Sequence, residues 1–166
     1  MKPGKLLILF SIILFTILQC TILNYVRIFR IKPDILLILV IFFSLNFGRI
    51  YGLIVGALCG LFSEATCGVP AGAVVFVYSF GGLFLGHISR WVINLRFFGQ
   101  MAISFIFIFV IYFFLFFLFQ TLGANLPLFN SLISVILPAS FYTAAVSPVL
   151  FRFLKTIYSL SPPGRG

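Results

Sequence analysis

The stretch GRIYGLIVGALCGLFSEATCGVPAG, Gly48–Gly72, places a glycine at every fourth position (48, 52, 56 and 60), and the next step on that row is Glu64, one of only two side-chain carboxylates in the chain. In a helix each fourth residue lies about 40° around from the last, so the row forms a gently winding groove on one side. Absent side chains let a second backbone approach closely, which is a main source of helix association where the solvent is lipid. The row therefore belongs to a packed helix. Two readings of it stay open, plain packing within the chain and a docking groove for a partner's transmembrane helix.

Lipid is the expected solvent because the composition leaves little else. Of 166 residues, 63% are hydrophobic and 8% charged, with a mean hydropathy of +1.28, more apolar surface than a soluble core of this size can bury. Apolar runs fall at Leu6–Val26, Ile35–Phe47, Ile50–Phe62, Val69–Leu85, Met101–Phe119 and Leu132–Phe151. They predict an all-α, polytopic transmembrane helical bundle in one domain over residues 1–160, with spans of about 6–26, 34–47, 49–63, 69–87, 100–119 and 131–154. The Pro- and Gly-rich tail 161–166 is expected to be disordered. A basic start followed by an apolar run resembles a leader, but the run continues past Cys20, and Gln19 stands where a lipidated cysteine would need a small residue. An uncleaved first span is the expectation.

The second and third runs are short. They form either one long helix with Arg49 near its middle, giving five spans, or a hairpin turning at Asn46–Arg49, giving six. An arginine at mid-bilayer costs about 2.5 to 3.5 kcal/mol even on the lenient insertion scale, and Asn46 and Gly48 favour a break, so the hairpin is preferred. Charge counting does not choose: six spans put eight basic residues inside and three outside, five spans put eight inside and two outside. In both, the C-terminus is cytoplasmic and Glu64 faces the other side.

The formal net charge of +9 does not point to nucleic acid, because the basic residues are scattered between apolar runs and form no phosphate-tracking stripe. They read as topology signals and contacts to anionic headgroups of membrane lipids. Asp34, after Pro33 and before ILLILVIFF, is expected to cap the helix that follows. Glu64 has two open readings, a salt bridge to Arg27, Arg30 or Lys32 and an ionisable contact for a partner or substrate at the outer face. His87, Arg90 and Trp91 are interfacial anchors, and Cys20, Cys59 and Cys67 are small apolar side chains. No catalytic residue, metal ligand set or cofactor is expected, since the one His, one Asp and one Glu are far apart in sequence.

Nine of the fourteen glycines (48, 52, 56, 60, 68, 72, 81, 82 and 86) lie between Gly48 and Gly86, and Gly82 to Gly86 repeats the same spacing on the fourth span. The fifth span, ISFIFIFVIYFFLFFLF, is bulky throughout. A bundle with its tight centre at the third and fourth spans and the fifth mostly facing lipid follows.

The run Pro33–Gly72 resembles the signature region of the MreD family, small multi-span rod shape-determining proteins of bacteria. The resemblance rests on Pro33 and Asp34, Gly48 and Arg49, Tyr51 and Gly52, Gly56, Gly60 and Leu61, the acidic residue Glu64, and Gly68, Pro70 and Gly72. The family usually has aspartate where this chain has Glu64. The resemblance implies a non-enzymatic, six-span accessory protein of the bacterial inner membrane. It would bind the single-span shape protein MreC and act with MreB, RodA and a class B penicillin-binding protein, with Gly48, Gly52, Gly56, Gly60, Glu64, Gly68, Pro70 and Gly72 in partner or helix packing. A rival of similar size and six-span design is the substrate-capturing S component of an energy-coupling factor transporter. Against it, Leu6–Val26 contains no alanine for docking, and the outer segments offer few pocket-forming groups.

Overall fold

The computed structural model describes residues 5–21, 33–67, 72–92, 97–123, 127 and 131–160. Among these, six α-helices occur and no strand: α1 Lys5–Thr21, α2 Ile35–Phe47, α3 Arg49–Cys67, α4 Ala73–Val92, α5 Phe97–Thr121 and α6 Leu137–Leu160, the last preceded by a π-helical segment, Leu132–Ile136. Gly68, Pro70, Arg27, Arg30, Lys32 and the tail 161–166 lie outside the described residues, as do the side chains of Cys20, Cys67, Arg90 and Trp91.

The chain breaks between α2 and α3, so the hairpin replaces the single long helix. Gly48 makes the turn: its φ of +89° is a conformation that side-chain-bearing residues rarely adopt, and its N–H donates to the Ser44 carbonyl at 3.1 Å. No neighbour stands within 4 Å of a Cβ placed there. Gly48 therefore serves the turn, and the packed row begins at Gly52.

α3 runs antiparallel to both α2 and α4. Gly52 lies against Ser44 across the α2–α3 turn, and along α3 and α4 the facing pairs are Gly52 with Gly82, Gly56 with Tyr78, and Gly60 with Val75. Phe107 and Ile111 of α5 meet Gly81 of α4. α6 runs alongside α2 in the same direction, with Thr143 bonded to Asp34 and the Phe151 ring tilted against Phe42, centroids 5.7 Å apart.

The tightest contact is α3 on α4, as the glycines lead one to expect, while the helix enclosed on all sides is α2. Every residue from Ile35 to Leu45 is buried, because ILLILVIFFSL is apolar around its full circumference and a helix with no polar face is shielded on all sides. α5 is divided: Ile108 and Ile111 join the core while Ile106, Val110 and Phe117 are exposed. Phe10, Ile50, Phe84, Phe141 and Val149 are also more than half exposed, so the surface is apolar on several sides. Two helical stretches, Met101–Thr121 and Leu132–Ile157, are long and apolar enough to cross a membrane, and Ile8–Gln19, Ile35–Phe47 and Ala73–Ser89 are shorter apolar helices.

Buried hydroxyls fold back on their own helices. Ser44 donates to Val40 C=O at 2.6 Å, Ser140 to Ile136 C=O at 2.7 Å and Thr16 to Ile12 C=O at 2.7 Å. Ser147 donates to Ala144 C=O at 2.8 Å, the carbonyl that Pro148, lacking an N–H, leaves free inside α6. Just before Pro138 the helix widens, and Leu137 N–H reaches back to Leu132 C=O.

The α3–α4 contact is backbone on backbone. A Cβ on Gly52 would come within 2.8 Å of the Gly82 carbonyl carbon, one on Gly82 within 2.7 Å of the Gly52 carbonyl carbon, and one on Gly56 within 2.7 Å of the Tyr78 carbonyl carbon. At Gly81 the obstacles are the ends of Ile111 and Phe107, which can rotate. Gly52→Ala and Gly56→Ala should therefore each lower stability by about 1 to 3 kcal/mol or more, and Gly81→Ala by much less. Thermal unfolding of the purified protein in detergent measures the difference; equal effects would mean that the α3–α4 seat yields as easily as a side chain.

Candidate functional site

Both carboxylates sit at one end of the bundle, at helix starts. Asp34 precedes α2 with extended backbone, and its Oδ1 accepts from Leu37 N–H at 3.1 Å, the cap that the Pro-Asp pair leads one to expect. The other oxygen receives the Tyr78 hydroxyl from α4. The Asp34 N–H donates to Thr143 Oγ1 of α6 at 3.2 Å, and Gln19 of α1 accepts from Leu36 N–H at 3.1 Å. Four helices thus meet at the start of α2. The Pro-Asp pair announces the cap but not its partners; Tyr78 and Thr143 carry no local signal, since each is one of several polar residues on its helix.

Glu64 is buried near the end of α3, and its carboxylate takes the opening N–H groups of α4: Oε2 accepts from Gly72 at 2.9 Å, and Oε1 from Val74 at 2.7 Å and Val75 at 3.1 Å. The first N–H groups of a helix have no acceptor within it, and a negative charge there is favoured by the helix dipole. The glycine row delivers this arrangement. Gly60 brings Val75 N within 2.9 Å of where its own Cβ would stand, so the Glu64 side chain, one turn further along, reaches the α4 start. Neither open reading of Glu64 anticipated a backbone clamp. Gly72, at φ +99°, is the turn residue that presents these amides.

The row Gly52, Gly56, Gly60 is covered by α4, so the groove foreseen as a possible seat for a companion helix is filled from within the chain. Two other depressions are open. An apolar groove of about 550 Å³ lies between α4 and α5, bordered by Phe76, Phe80, Phe84, Ile106, Val110 and Phe114. A half-polar pocket of about 520 Å³ lies at the α2–α3 turn, bordered by Arg49, Tyr51, Gly86, His87 and Ser89. His87 is exposed there, consistent with a place at an interface. Cys59 is a free thiol in the core, packed as a small apolar side chain.

Searches against protein-family models, curated proteins and solved structures find no match for this chain.

Two stability effects follow. Glu64→Gln removes the charge that strengthens three bonds and sets an amide NH2 against backbone donors, so it should cost about 1.5 to 3 kcal/mol and speed amide exchange at Val74 and Val75; unchanged exchange would show that the clamp does not hold α4. Tyr78→Phe should cost about 1 to 3 kcal/mol by leaving an Asp34 oxygen without its donor. Combined with Asp34→Asn the losses should not add, and strict additivity in unfolding measurements would show that the two side chains are energetically independent.

Proposed function

We propose that this chain is a non-enzymatic, six-span membrane scaffold of the MreD type, acting in bacterial cell elongation and peptidoglycan synthesis by binding MreC. The observation that carries this reading is where the resemblance falls. Six of the Pro33–Gly72 residues that resemble the family signature hold the bundle: Asp34 bonds to α2, α4 and α6, Gly48 turns the hairpin, Gly52, Gly56 and Gly60 seat α4, and Glu64 clamps its start. Both carboxylates are committed to hydrogen bonds that organise helices, which fits a body whose purpose is its shape.

The up-and-down course of the six helices supports six spans. Arg49, Arg152 and Lys155 then share the end that the positive-inside rule assigns to the cytoplasm, with Asp34 and Glu64 at the outer end. The assembly would be in the inner membrane, with RodA, a class B penicillin-binding protein and MreB in the same machinery. Since α4 already fills the glycine row, MreC would meet another face.

Affinity-tagged MreC, produced with this chain in a rod-shaped bacterium that encodes both, should retain it through detergent purification, and deleting the gene should round the cells. Rod-shaped deletion mutants together with failure to co-purify would overturn the reading. A small molecule retained stoichiometrically by the purified chain would instead favour an S-component-like transporter subunit.

A further inference from the structure

We propose that the pocket at the α2–α3 turn is a binding site for a phosphate group, supplied by the headgroup of an anionic phospholipid. The site is formed by two close backbone features. Gly48 reverses the chain with its positive φ, and Gly86 lets α4 come so near that a Cβ there would lie within 2.6 Å of the Arg49 nitrogen. This approach places His87 and Ser89 of α4 beside Arg49 and Tyr51 of α3 around a cavity of about 520 Å³.

Charge decides what such a pocket accepts. The chain has two side-chain carboxylates, and both are engaged at the opposite end of the bundle. α2 alone is 13 residues long, so about 20 Å separates Asp34 from the turn, more than twice the screening length of about 8 Å at physiological salt. Neither side-chain carboxylate reaches Arg49, which leaves its charge open to an anion from outside. The side chains that line it suit a phosphate: a guanidinium, which binds such oxygens in pairs, with the imidazole of His87 and the hydroxyl of Tyr51 as further donors. Exposed apolar side chains border it: Ile50 lines the pocket beside Arg49, and Phe84 lies about one turn along α4 from His87, where the acyl chains of a lipid would lie. A phosphate without that tail would leave them uncovered.

The inference does not depend on the scaffold reading, since it needs only a bilayer around the bundle. The full chain in nanodiscs containing equal phosphatidylglycerol and phosphatidylcholine, released for native mass spectrometry, should retain phosphatidylglycerol by about tenfold over phosphatidylcholine. Arg49→Gln should bring that preference close to parity, and Arg49→Lys should keep part of it. Arg152→Gln and Lys155→Gln, exposed cations at the same end but outside the pocket, should leave it unchanged. Circular dichroism of each variant confirms the fold, and an Arg49→Gln variant that does not fold is replaced by His87→Gln, which should also weaken retention. No preference for phosphatidylglycerol, a preference unaffected by the pocket variants, or one lost equally with Arg152→Gln would overturn the site. Arg49-dependent stabilisation by inorganic phosphate, unmatched by phosphatidylglycerol, would overturn the lipid as its source.

Discussion

The bundle depends on one contact, the backbone of α3 laid directly on the backbone of α4 at Gly52 and Gly82. In lipid, bringing apolar side chains together gains little, because acyl chains are as apolar as leucine; close packing and hydrogen bonds must hold helices in place. Glycine supplies the closeness, and closeness sets the register. With Gly52 on Gly82, Gly56 faces Tyr78 and Gly60 faces Val75, so Glu64 falls on the first amides of α4 and the Tyr78 hydroxyl on Asp34. A displacement of α4 by one turn would part both pairs at once.

The same register explains the economy of charge. An unpaired carboxylate is costly beside hydrocarbon, and so are the uncapped N–H groups of a helix start. Asp34 and Glu64 answer both needs together, one at α2 and the other at α4. Hydroxyls elsewhere are spent on their own helices, and among the described residues only the Ser104 hydroxyl is buried without a partner. The polar groups at the carboxylate end of the bundle are thus tied to one another across helices. At the other end Arg49 and His87 border an open pocket.

The break at Gly48, the cap at Asp34 and the approximate course of the helices were legible because each has a local cause: a glycine beside a charge within an apolar run, a short carboxylate after proline, and uninterrupted hydropathy. Helix ends were less so. α3 continues past residue 63 to Cys67, since its last turn is held by Glu64 and the α4 start, which are tertiary partners. The enclosure of α2 has a local cause as well, since a helix without any polar face belongs where no solvent touches it, and the glycines mark the tight α3–α4 seat.

By itself, then, the sequence determined that the chain is helical and apolar, where it turns, and that the side of α3 bearing Gly52, Gly56 and Gly60 must be packed. Only the tertiary structure decided what covers that side and what Glu64 binds. The physical reason is the same for both. A stripe without side chains specifies how near a neighbour may come but nothing about which neighbour comes, and the amides of Gly72, Val74 and Val75 that meet Glu64 are backbone groups that every residue except proline carries.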